Sequence, residues 1–133
     1  MIATTSRKQI LIIEDHDSLR WLLGSYLSKK YEVTTKRDGW EGMAWLGSGN
    51  LPDLILLDLN MPRIGGNEFL KNIRHSGFYR DIPVIVLSGN EETNEVEYCL
   101  DLGAAEYIKK PFNPIQLNQK INAVFSKQVL EIA

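Results

Sequence analysis

Cysteine is almost missing from this chain: Cys99 is the only one among 133 residues. A lone thiol excludes an internal disulfide framework and a cysteine-based zinc site, and it fits a reducing, cytoplasmic setting. An excess of one charge is missing too. Fifteen Lys and Arg stand against seventeen Asp and Glu, a net −2, whereas a nucleic-acid footprint shows as a clustered basic excess. No apolar run approaches the roughly 20 residues needed to span a bilayer. The polar opening Met1-Ile2-Ala3-Thr4-Thr5-Ser6-Arg7-Lys8 also lacks a signal peptide's apolar stretch. The expected partners therefore include neither nucleic acid nor membrane. Repeats, low-complexity tracts and Pro/Gly/Ser-rich linkers are absent, so one domain is expected over residues 1–133. After Ser126 only Lys127–Ala133 remain, and no output domain is expected in so short a segment.

What is present is a core. At 44% hydrophobic and 24% charged the chain has enough apolar surface to fold as a globular domain. Short apolar runs alternate with helical patterns five times. Gln9–Ile13 (QILII) reads as a strand buried on both faces. Leu19, Leu22, Leu23, Tyr26 and Leu27 then recur at helical spacing as a core stripe, with Asp17 or Ser18 available as N-cap. Glu32–Lys36 is a β-branched strand, and Asp38 with Glu41 predicts a capping box opening a second helix to about Ser48. Leu54–Leu57 ends on Asp58, and a third helix is expected over Gly66–Ser76. Pro83–Leu87 is the fourth strand. Val96, Cys99 and Leu100 carry the fourth helix to a stop at Gly103, and Ala105–Lys109 is the fifth strand. Asn113-Pro114 supplies an N-cap and a proline at the first helical position for the last helix, whose stripe is Leu117, Ile121, Val124 and Phe125. Five such βα units imply an α/β fold with a parallel sheet covered on both faces. Ligands of such sheets bind at the carboxyl ends of the strands.

Four of those ends carry chemistry. The first runs into Glu14-Asp15-His16-Asp17, where an anion-binding protein would instead put glycines and hydroxyls. The third adds Asp58. Carboxylates converging on one crevice repel one another, and a hard, oxygen-liganded cation such as Mg²⁺ relieves that repulsion. Helix capping would also explain Glu14-Asp15, but Asp17 and Ser18 are already at hand for it. The fourth strand ends in Ser88-Gly89 and the fifth in Lys109-Lys110-Pro111-Phe112, so a hydroxyl and an ammonium can reach a phosphoryl oxygen.

These residues resemble the receiver domain of two-component response regulators, chemotaxis-response-regulator-like, from about Lys8 to about Ser126. The resemblance rests on Glu14-Asp15, Leu57-Asp58-Leu59-Asn60-Met61-Pro62, Ser88-Gly89, Gly103-Ala104 and Tyr107-Ile108-Lys109-Lys110-Pro111-Phe112. It implies a doubly wound, flavodoxin-like (βα)5 fold with strand order 2-1-3-4-5. Asp58 would be the phosphoacceptor. Asp15, Asp58 and the Asn60 backbone carbonyl would bind Mg²⁺ (or Mn²⁺), with Glu14 acting through water. Ser88 and Lys110 would bind the phosphoryl group, Tyr107 would be the switch aromatic, and the bond before Pro111 would be cis. The lysine of the Lys-Pro step, Lys110 rather than Lys109, takes the phosphoryl-binding role. The implied partner is a histidine kinase or a histidine phosphotransfer protein. The implied output is a downstream protein or a homodimer through the face made by the fourth helix, fifth strand and fifth helix. Such a module phosphorylates and dephosphorylates itself but is not a turnover enzyme.

Asn60 and Asn90, each two residues beyond a site residue, are expected to tune the lifetime of the phosphorylated state. Gly65-Gly66 stands where the family commonly has an acid before the glycine, and the doublet is expected to loosen the turn after Asp58. Trp21 is expected on the solvent side of the first helix. Each of Trp21 and Trp40 either lies flat over neighbouring aliphatic stems of its own helix or serves as a contact, Trp21 in the donor-docking patch and Trp40 a weaker candidate. A flavin module would want a Ser/Thr/Gly-rich first turn. A haloacid-dehalogenase-type phosphatase would want an Asp where Asn60 stands. The remaining alternative is a degenerate receiver that binds partners without phosphorylation.

Overall fold

A computed structural model describes residues 7–59, 65–89 and 93–132. The element order is β1 (Gln9–Ile13), α1 (Asp17–Leu27), β2 (Glu32–Lys36), α2 (Gly39–Gly47), β3 (Leu54–Asp58), α3 (Gly66–Arg74), β4 (Val84–Ser88), α4 (Thr93–Asp101), β5 (Glu106–Lys109) and α5 (Pro114–Ile132). The five strands form one parallel sheet in the order β2-β1-β3-β4-β5, which is the flavodoxin-like arrangement expected.

Successive strand residues point to opposite faces, and here that alternation builds two cores from the same strands. Leu11, Ile13, Ile55, Leu57, Val84 and Val86 face α2, α3 and α4, where Phe69, Leu70 and Cys99 meet them. Ile10, Ile12, Leu54, Leu56, Ile85 and Leu87 face α1 and α5, against Leu23, Leu27, Leu117 and Ile121. Only a strand covered on both sides tolerates an unbroken apolar run. That is why LILL and VIVL read as they do.

Several local expectations change. His16, not Asp17 or Ser18, caps α1: its Nδ1 accepts the Leu19 N–H at 3.3 Å. Asp38 caps α2 at 2.8 Å as expected, but Glu41 turns back to the Arg37 N–H and guanidinium rather than to Asp38, leaving half a capping box. Leu22 leaves the core stripe expected on α1 and stands 56% exposed, and Leu100 of α4 is 46% exposed. Leu22 lines an open groove between α1 and the start of α5 rather than a closed core. The third helix ends at Arg74, β4 and β5 each start one residue late, and α5 continues to Ile132. Asn113 does cap α5, accepting the Gln116 N–H at 2.6 Å.

Candidate functional site

At the carboxyl edge of the sheet, β1 delivers Glu14 and Asp15 while β3 delivers Asp58. The three side chains can bring carboxylate oxygens within 4.8 Å of one another. Glu14 and Asp58 are buried and Asp15 is exposed, so the cluster has one open side. Both oxygens of Glu14 are committed. Oε1 accepts from Lys110 Nζ at 2.8 Å and Oε2 from the His16 N–H at 3.2 Å. The same ammonium reaches Asp58 Oδ1 at 3.3 Å.

Lys110 gets there because its N–H donates to the Ser88 carbonyl at 2.8 Å, extending the β4–β5 ladder one step past β5. Its ammonium is the one held against the acidic cluster, whereas Lys109 is exposed. Burial alone would lower the Lys110 pKa. The Glu14 hydrogen bond and the charges of Asp58 and Glu14 outweigh it and hold the ammonium above the ordinary lysine value. The Lys110–Pro111 peptide bond is cis.

Ser88 ends β4 fully buried, and its hydroxyl donates to Glu95 Oε1 of α4 at 3.2 Å. Tyr107 is half-buried against the core on the α3 and α4 side. The Asn60 and Asn90 readings lie outside the described residues. The turn after Asp58, which the Gly65-Gly66 doublet was expected to loosen, lies outside the described residues; Gly66 itself is buried, and a Cβ there would meet the Leu59 Cα at 2.5 Å and the Asp58 carbonyl at 2.8 Å. The glycine is needed for close packing of α3 on the strand end.

Three residues of this edge escaped the sequence reading. Arg20 donates to the Glu14 carbonyl at 3.0 Å and pairs with Asp17, bracing the acidic turn. His16 caps α1, and Glu95 engages Ser88. Only Glu95 left a usable signal, an acid four residues before the inward Cys99.

Beside the site, α1 and the start of α5 leave an apolar groove of about 490 Å³, lined by Leu19, Leu22, Leu23, Phe112, Pro114 and Leu117. Trp21, 72% exposed, stands outward as expected, and Trp40 is 62% exposed. Among the described residues, no helix is long and apolar enough to cross a membrane.

Compared with known families, residues 10–122 match the response regulator receiver domain. The chain belongs to that family. Receiver domains are signalling modules of two-component regulators and interact with histidine kinases. The receiver is 32% identical over 121 residues to the alkaline phosphatase synthesis transcriptional regulatory protein PhoP of Bacillus subtilis, covering 90% of this chain and 49% of the relative. It thus spans about half the length of the curated relatives it matches. Among solved structures, the chemotaxis protein CheY4 of Vibrio cholerae superposes with a TM-score of 0.83 at 30% identity, over 90% of this chain and 99% of that one. The phosphorylated cyanobacterial phytochrome response regulator RcpA gives 0.77 at 35% identity, over 90% and 91%.

Proposed function

We propose that this receiver accepts a phosphoryl group on Asp58 from a phosphohistidine donor and signals through the face made by α4, β5 and α5. The observation that carries this is the Lys110 ammonium, held 3.3 Å from Asp58 at the edge where Glu14 and Asp15 converge. A strand end built only for stability would not gather three carboxylates and set one ammonium against two of them. The transfer breaks the P–N bond of the donor imidazole, whose nitrogen keeps the electron pair, as an Asp58 Oδ bonds to phosphorus. Such transfers have loose transition states, so positioning and charge neutralisation do most of the work. Asp58 is the in-line nucleophile. Lys110, already a cation beside it, neutralises charge on the transferring oxygens, and Ser88 offers a hydroxyl to one of them.

The donor set fits a hard divalent cation, because it is all oxygen, anionic and open on the Asp15 side. Asp15 and Asp58, with the Asn60 carbonyl, would hold Mg²⁺ (or Mn²⁺), which supplies charge neutralisation to the phosphoryl oxygens when bound. Glu14, with both oxygens committed to protein donors, orients Lys110 and would reach the cation only through water. Tyr107 shifts with Ser88 as the switch aromatic. Asn60 and Asn90 set the lifetime, since amides flanking the phosphoryl group cannot act as a general base near neutral pH. Leu22, which lines the apolar groove, and Trp21, on the β2 side of α1 beside Arg20, form part of the surface for a histidine kinase or histidine phosphotransfer protein. The output is a downstream protein or a second copy, and the compartment is the cytoplasm.

The deciding experiment incubates the chain with acetyl phosphate and Mg²⁺ and maps the adduct by mass spectrometry. Modification of Asp58 is the expected result, and modification elsewhere or none would overturn the reading.

A further inference from the structure

Beneath α4 lies a strip of polar contacts in which Ser88 alone also belongs to the phosphoryl chemistry. Glu95 Oε1 takes the Ser88 hydroxyl at 3.2 Å. Its other oxygen, Oε2, is buried and has no hydrogen-bond partner among the described residues. One turn on, the buried Cys99 faces Asn67 Oδ1 of α3 at 3.7 Å. A buried carboxylate oxygen without a donor is costly, so this arrangement is not the one α4 would adopt for stability alone. The inward face of the helix meets the sheet through Ser88 at Glu95 and through the buried Cys99 one turn on.

We propose that Glu95 is a positioning residue: it holds the Ser88 hydroxyl in its resting orientation, and phosphorylation releases it together with the first turn of α4. The proposal rests on the phosphoacceptor reading for its trigger. Ser88 has one hydroxyl proton. A carboxylate can only accept a hydrogen bond, and so can a phosphoryl oxygen on Asp58 in the next strand. One proton cannot serve both, so the two bonds compete. The new dianion also repels the Glu95 carboxylate, pushing the exchange the same way. Once displaced, Glu95 has two oxygens without donors in a half-buried site, and it regains hydration by moving outward. Glu95 sits in the first turn of α4, so its exit moves the helix start. A local hydrogen-bond exchange thereby becomes a change in a surface element.

Cys99, the only thiol, reports the motion. Burial and the nearby Glu95 charge raise its pKa to about 11, so in the resting chain it is both covered and protonated. The experiment measures Cys99 alkylation by iodoacetamide and acetyl-phosphate labelling of Asp58, in the wild type and in the Glu95→Ala and Glu95→Gln variants. Glu95→Ala should expose Cys99 without any phosphodonor. It should also speed Asp58 labelling by on the order of tenfold to a hundredfold, the worth of a charged hydrogen bond. Glu95→Gln keeps an acceptor for Ser88 without the charge and should fall between. In a Ser88→Ala background the Glu95→Ala effect on labelling should vanish, which a merely structural role of Glu95 would not produce. Melting curves on all variants separate misfolding from release, and Glu95→Gln should fold at least as well as the wild type because it removes a buried unpaired charge. Wild-type labelling of Asp58 with unchanged rates and unchanged Cys99 reactivity in both Glu95 variants would overturn this proposal alone. Absence of wild-type labelling would overturn the phosphoacceptor reading and the trigger with it.

Discussion

Gly66 and Leu59 are pressed together: a Cβ built on Gly66 would stand 2.5 Å from the Leu59 Cα. A Cβ on neighbouring Gly65, whose φ is −66° and ψ 160°, would meet nothing within 4 Å. The two glycines of one doublet therefore answer differently to the same substitution. Gly66→Ala should cost about 1–3 kcal/mol, because backbone rather than a flexible side chain must yield, and it should displace the turn that carries Asp58. Gly65→Ala should be neutral or stabilising by about 0.4–1 kcal/mol. Urea unfolding of both variants checks the contrast.

Asp58→Asn should abolish acetyl-phosphate labelling and leave the fold intact. Asn keeps a carbonyl acceptor for Lys110, and Glu14 retains the shorter ion pair. The lost attraction to Lys110 and the lost repulsion from Glu14 and Asp15 oppose each other, so the melting temperature should move little. Labelling at the wild-type level would remove Asp58 from the mechanism.

Mg²⁺ should raise the melting temperature by mass action, by about 2.7 kcal/mol of stability at a hundredfold excess over its dissociation constant. Asp15→Ala should abolish that rise while costing the apo protein little, since Asp15 is exposed. A melting temperature indifferent to Mg²⁺ in the wild type would argue against the cation site.

Lys110→Met should destabilise the protein by about 3 kcal/mol, because Glu14 is fully buried and would lose its cation. The sign of the pH dependence follows from the raised Lys110 pKa. Its contribution is complete below the ordinary lysine value of 10.5 and fades only as pH rises through the higher folded value. The destabilisation measured in urea should therefore be the same at pH 6 and pH 9. A loss that disappears between those values would assign the effect to another group.

Trp21→Ala should slow phosphotransfer from a phosphohistidine partner and leave labelling by acetyl phosphate unchanged, because a small donor needs no docking surface. At a well-packed contact the loss would be about 2 kcal/mol. Equal slowing with both donors would mean damage to the site itself.

The sequence by itself determined the architecture and the address of the acidic cluster. Runs such as QILII and LILL are readable because a strand buried on both faces needs no polar alternation. The ends of those runs fix where Glu14, Asp15 and Asp58 emerge, since a ligand edge begins where apolar burial stops. The choice between Lys109 and Lys110 was legible only through the Lys-Pro motif. Its geometric reason is tertiary: the ladder extends one residue past β5, and that step carries the second ammonium to Glu14, 96 residues away in sequence. The exposure of Leu22, the packing need of Gly66 and the grip of Glu95 on Ser88 were decided by tertiary structure alone. Each depends on the presence or absence of a neighbouring element beside one face, and helical periodicity specifies a face without specifying what covers it.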